Sequence, residues 1–323
     1  DLMKSKYGNF LFRQGSDYLK TIPYSSRHGE VRVGDSLKST INAPFQIIGI
    51  QESIGPIANN GFSGAENAID AFLSQFQLTQ VHEDFDINSI SFAGVITIEK
   101  QKLELNSELI EELDHFVYEV LTVTIQPGHT PIIIGGGHNN ALPLMRWAKK
   151  NKTDLAVVNI DPHADTREPN GRHSGNSFSY AINENTLTHY HVLGLHEAYN
   201  NTYIRKFLKE KVKFYSYFED YLFKKRNIID DIASISFALK EMSCGIELDM
   251  DSLANFPSSA ISPSGWTLNE LRQISHELLS KIPNISYLHL PEAAPKNQEE
   301  YRMCGKALSY LVRDFIRYNK MNS

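Results

Sequence analysis

The run Leu155-Ala156-Val157-Val158-Asn159-Ile160 leads directly into Asp161-Pro162-His163-Ala164-Asp165. A short, almost wholly apolar run of this kind reads as a strand buried on both faces, the signature of a parallel sheet. Side chains alternate along an extended chain, so Asp161, His163 and Asp165 point the same way. Pro162 cannot donate to a ladder, which places the end of the strand here and leaves its tip free to bind. Two carboxylates and an imidazole suit a borderline or hard divalent metal, not a soft thiolate site. Taken alone, the pattern could equally be a polar strand end in water.

Two other apolar runs end in the same way. Pro131-Ile132-Ile133-Ile134 passes into Gly135-Gly136-Gly137-His138, and Cys244-Gly245-Ile246-Glu247-Leu248 passes into Asp249-Met250-Asp251. The glycines allow a sharp turn that brings His138 close. His138 alone would be an ordinary turn histidine, and Asp249 with Asp251 alone a helix-capping pair. The triple glycine lacks the Lys-Ser/Thr pair of a phosphate-binding P-loop. In a parallel sheet, however, all C-terminal strand ends lie on one edge, so the three groups can converge. His138, Asp161, His163, Asp165, Asp249 and Asp251 exceed what one catalytic zinc uses and suit two metals sharing carboxylates. With no nucleophile elbow and no Cys-His arrangement, the expected nucleophile is water activated by the metals.

Outward from these strands, the pattern predicts strands near 45–50, 91–95, 189–195, 213–217 and 286–290. Helices are predicted near 65–75, 107–125, 141–149, 203–211, 228–242, 268–281 and 299–318. Residues 167–180 read as a polar loop. Strands alternating with helices predict a three-layer α/β/α fold around a central, mostly parallel sheet. The 323 residues show no repeat or linker and are read as a single domain. Residues 1–43 form an N-terminal extension expected to be irregular and anchored by Tyr7, Phe10, Phe12 and Tyr18. No run approaches the roughly 20 apolar residues of a membrane span, and the start lacks a signal-peptide core. The two cysteines form neither a disulfide framework nor a zinc pattern, which fits a reducing cytoplasm. A net charge of −6 argues against nonspecific nucleic-acid binding.

The three motifs, in this order along the chain, resemble those of the ureohydrolases, the family of arginase, agmatinase and formimidoylglutamase. The resemblance covers roughly residues 45–318 and implies two Mn²⁺ per subunit, with hydroxide attacking an amidine or guanidine carbon. It implies that His138, Asp161, Asp165 and Asp249 hold one manganese, and Asp161, His163, Asp249 and Asp251 the other. Asp161 and Asp249 would bridge. It also implies a homo-oligomer acting on a small amidine or guanidine; that neither nucleic acid nor membrane is a partner is the expectation from charge and composition.

Gly137 stands where arginases and agmatinases usually carry Asp, which resembles formimidoylglutamase more closely. So does Glu52-Ser53-Ile54-Gly55-Pro56 with the Asn- and Gly-rich turn after it. The loop Gly171-Arg172-His173-Ser174-Gly175-Asn176-Ser177-Phe178 is similar to that subfamily's pattern, with His173 and Asn176 as departures. Its Ser174-Gly175-Asn176 also matches an arginase segment that receives the substrate carboxylate. Phe178, however, replaces arginase's proton-shuttling His, which leaves His173 as a candidate acid. Arg172 offers a planar fork suited to a carboxylate, with Ser174 and Asn176 beside it. Glu292 resembles the family glutamate facing the substrate's cation. The expected reaction is hydrolysis of N-formimidoyl-L-glutamate to glutamate and formamide. The alternatives are a guanidine ureohydrolase releasing urea and a catalytically silent metal-binding relative.

Overall fold

A computed structural model of the chain describes residues 3–99, 104–150 and 152–319. Among these residues, ten strands form one sheet: β1 (Met3–Lys4), β2 (Phe10–Gln14), β3 (Phe45–Gln51), β4 (Ile90–Ile98), β5 (Thr130–Ile134), β6 (Ala156–Ile160), β7 (His189–Leu195), β8 (Phe214–Tyr217), β9 (Cys244–Leu248) and β10 (Ile285–Leu290). Their spatial order is β1-β2-β4-β3-β5-β10-β9-β6-β7-β8. Every pairing from β4 to β8 is parallel; only β1 with β2 and β2 with β4 run antiparallel.

Neighbouring residues of the central strands feed opposite cores. Ile132, Ile134 and Val158 pack on one face, against helices Ala68–Phe76, Ile228–Ala238, Leu268–Lys281 and Gln298–Tyr318. Ile133 and Val157 pack on the other, against Ser107–Thr124, Ala141–Lys149, Ser177–Asn183 and Thr202–Lys211. This is why these strands read as unbroken apolar runs: both of their faces are covered. Helix boundaries follow local chemistry. The side chains of Asn106, Asn201 and Asn297 accept backbone N–H groups three residues on, and Thr267 with Glu270 forms a capping box.

Two expectations change. Residues 10–14 are not irregular: β2 pairs with β4 and buries Phe10 and Phe12, while Tyr7 is 64% exposed. Residues 177–180 are not loop but the start of the helix Ser177–Asn183. That short segment is shaped by tertiary packing, since Phe178 stacks on Tyr190 with ring centroids 4.4 Å apart. No helix among the described residues is long and apolar enough to cross a membrane.

Candidate metal centre and active site

The four strands β5, β10, β9 and β6 are consecutive neighbours at the middle of the sheet, and all four are parallel. Their C-terminal ends therefore present Gly135–His138, Glu292, Asp249 and Asp161 along one edge. Two of the glycines are required by the backbone itself. Gly135 and Gly136 have φ of 89° and 70°, and a β-carbon on Gly136 would lie 2.8 Å from Glu52 Oε1. Glu52, buried under the turn, accepts from the Gly137 N–H and from the Asn139 and Asn140 side chains at 2.7–3.2 Å. Asp165 and Glu292 also occupy the left-handed region, at φ of 51° and 78°. Such strained conformations at non-glycine residues gather at functional sites.

The buried Nδ1 atom of His138 lies 3.0 Å from Asp161 Oδ2, 2.8 Å from Asp165 Oδ2 and 2.9 Å from Asp249 Oδ2. Nδ1 makes no hydrogen bond, although the ring's other nitrogen is 3.1 Å from Glu247 Oε2. An imidazole nitrogen without a hydrogen-bond partner facing three carboxylates, all inside 4.8 Å, is a donor set that a divalent cation satisfies and water does not. His163 stands further off, its Nδ1 3.6 Å from both Asp161 Oδ1 and Asp251 Oδ2. Asp161 thus faces one histidine with each oxygen. Asp249 and Asp251 are held by local bonds, from Asp251 N–H to Asp249 Oδ1 at 2.7 Å and from Ala260 N–H to Asp251 Oδ1 at 3.1 Å.

Packed this tightly, the cluster carries perturbed charges. Burial and the neighbouring Asp161 push Asp165 and Asp249 above the ordinary carboxylate range. Burial opposes charge on His163, but hydrogen bonding and attraction from Asp161 and Asp251 carry it up to about 10. The excess negative charge is thus drawing in whatever protons it can, the behaviour of a site built for cations. Glu292 accepts the His138 N–H at 2.7 Å and the Ser259 hydroxyl, and burial together with Asp251 raises it to about 8.

A cavity of about 260 Å³ opens over the cluster, lined at its buried floor by Asp165, Asp249, Asp251 and Glu292. His163 and Ser174 also face it, and Phe62 and Tyr199 are exposed at its rim. Three expected site residues lie elsewhere. Arg172 does not line the cavity; its guanidinium is buried and forks onto Asp114 at 2.8 and 3.0 Å. It also donates to Asn139 O and to Asn176 Oδ1, so a substrate carboxylate finds no open donor there. Asn176 is fully buried and spends its amide on Arg172 and on Gly171 O. His173 accepts from Gly175 N–H, and burial with Arg172 and Arg167 lowers it to about 4, the wrong direction for an acid at neutral pH.

The cation that does line the cavity is Arg167, exposed and in no ion pair among the described residues. Its place in a polar loop makes it an ordinary solvated cation by pattern, yet it follows the Asp161–Asp165 motif by two residues. Glu247 is marked in the sequence only as a carboxylate inside an otherwise apolar central strand.

A buried His/Asp cluster at the C-terminal edge of a parallel α/β sheet defines the class: a metal-dependent enzyme fold whose site opens into a small-molecule cavity. The Arginase family profile matches residues 43–316, and the chain belongs to that family. It is 24% identical over 283 residues to a formimidoylglutamase of Halalkalibacterium halodurans, covering 84% of this chain and 86% of that one. A formimidoylglutamase of Macrococcus caseolyticus is 29% identical over 161 residues, and there the match spans only 48% of the relative's length. Among solved structures, Trypanosoma cruzi formiminoglutamase with Mn²⁺ superposes with a TM-score of 0.72 at 22% identity, covering 89% of this chain and 99% of that one. The formimidoylglutamase of Bacillus subtilis does so with 0.77 at 17% identity, covering 91% and 94%.

Proposed function

We propose that this protein is a binuclear manganese hydrolase that cleaves N-formimidoyl-L-glutamate to glutamate and formamide. The observation that carries the reading is the cavity itself, a floor of His and Asp ligands facing Arg167, a cation near its mouth that is in no ion pair among the described residues. Formimidoylglutamate has two carboxylates and no free α-ammonium, so it needs donors at the rim. Arginine would need an acid there for its α-ammonium. The cavity's acids, Asp165, Asp249, Asp251 and Glu292, are all buried at the floor. The names of the relatives and structural neighbours point the same way.

His138, Asp161, Asp165 and Asp249 would hold one ion, and His163 and Asp251 the other, with Asp161 and Asp249 shared. A manganese pair, when bound, lowers the pKa of water and so supplies the nucleophile at neutral pH. Glu292 is fixed by His138 N–H and Ser259 so that its carboxylate receives the formimidoyl group's cationic end. Burial raises its pKa, and a neighbouring amidinium returns it to the charged form. Arg167 and Ser174 orient the glutamate carboxylates. Water oxygen bonds to the formimidoyl carbon, the bond from that carbon to the glutamate nitrogen breaks, and that nitrogen leaves protonated.

The test is the Mn²⁺-loaded protein assayed against formimidoylglutamate, arginine and agmatine, with formamide and urea scored separately. Formamide from the first substrate alone is expected. Urea from arginine or agmatine would make it a guanidine ureohydrolase, and no turnover of any of the three would make it a silent relative.

A further inference from the structure

Beneath the cluster lies a buried polar network that the reaction above does not use. Glu247 extends from β9, and no part of it is exposed. One oxygen, Oε1, accepts the Tyr287 hydroxyl at 2.9 Å. The other, Oε2, lies 2.6 Å from His289 Nδ1 and 3.1 Å from His138 Nε2. The parallel register sets His289 of β10 beside Glu247 and Tyr287 beside Gly245. Gly245 is what admits the tyrosine ring, since a β-carbon there would lie 2.4 Å from Tyr287 Cζ.

We propose that Glu247 is a positioning residue for the metal centre, holding the proton of His138 on Nε2 so that Nδ1 is left as the ligand. An ionised carboxylate only accepts hydrogen bonds, so the His138 nitrogen facing it must carry the hydrogen. The neutral ring then has its lone pair on Nδ1, toward Asp161, Asp165 and Asp249. Tyr287 and His289 occupy the rest of the carboxylate, so Glu247 cannot turn to another partner. Ring contacts complete the clamp, with Phe178 and His289 edge-on to His138 at centroid distances of 5.2 and 5.7 Å. His163 has no such backing: among the described residues its carboxylate neighbours are Asp161 and Asp251, on the cluster side, and its side chain is 31% exposed. The two metal positions are therefore unequal, and Glu247 supports one of them. Carboxylates that orient a ligating histidine change metal affinity by roughly 10–100-fold.

The proposal rests on the reading of His138 as a metal ligand, and the experiment separates the two. Metal-free full-length protein is titrated with Mn²⁺ while free aquo-Mn²⁺ is followed by electron paramagnetic resonance, without substrate. Wild type binds two ions, and His138→Asn loses one. Glu247→Gln loosens one ion by roughly 10–100-fold and leaves the other as in wild type. A part in the fold alone would change both ions or neither. If a folded Glu247→Gln holds both ions as tightly as wild type, or loosens both equally, the positioning role is wrong while the ligand reading stands. If His138→Asn keeps both ions, the ligand reading falls and takes the proposal with it. Should Glu247→Gln fail to fold, Glu247→Asp, which keeps the charge but withdraws it from His138, is judged by the same two criteria.

Discussion

Replacing Arg172 by alanine separates a structural cation from a substrate-binding one. The Arg172 and Asp114 side chains are each 1% exposed, and the guanidinium forks onto the carboxylate at 2.8 and 3.0 Å while also donating to Asn139 O, His173 O and Asn176 Oδ1. Removing it leaves Asp114 buried and uncompensated and frees the loop that carries Ser174. Breaking a buried pair from one side costs about 3–5 kcal/mol. With an unfolding entropy of about 2.1 cal/mol/K per residue, that cost over a chain of this length lowers Tm by roughly 4–7 °C. Thermal unfolding of the metal-free protein by circular dichroism measures it. The double variant Arg172→Ala/Asp114→Ala should regain part of the loss, because neither charge is then stranded. An unchanged Tm together with a raised KM would show that Arg172 meets substrate in solution, and would refute the assignment drawn from its burial.

Arg167→Ala should raise KM for formimidoylglutamate by about 1.5–3 kcal/mol, or roughly 10–150-fold, with metal content unchanged. Steady-state kinetics with an unaltered KM would remove Arg167 from the substrate site. Asp249→Asn should lower bound manganese, measured by elemental analysis after mild loading, more than His163→Ala does, since a shared carboxylate serves both ions; equal contents would contradict the bridging assignment. Burial, with the nearby His189 charge, lowers His191 to about 4 from an ordinary value near 6.5. Its contribution is present above pH 6.5 and is lost as pH falls toward 4, because only the unfolded chain takes up the proton in that window. Between pH 7 and 5, wild type should therefore lose about 2 kcal/mol more than His191→Gln in urea unfolding of the metal-free protein; parallel losses would refute it.

Most of the candidate centre was legible because its charged residues follow directly on apolar runs. The two-residue period of extended chain does not hold there: β6 ends at Ile160, Asp165 is left-handed and Met250–Ser252 is a 3-10 turn. Asp161, His163, Asp165, Asp249 and Asp251 stand out as charged groups closing apolar runs, and His138 follows glycines that only a sharp turn needs. The layered parallel fold was legible for the same reason, since strands covered on both faces must be apolar throughout. What the sequence could not rank were two arginines five positions apart on neighbouring turns of one loop. Both are ordinary loop cations until the helix Ser107–Thr124 brings Asp114 against Arg172, which buries it and leaves Arg167 facing the cavity. Glu247 is the counterpart inside the sheet: it is one more residue in a strand until register sets His289 beside it and the glycine turn brings His138 above it. Local pattern determines which residues end a strand, but the burial and pairing of a charge depend on partners distant in sequence, and those only the tertiary structure supplies.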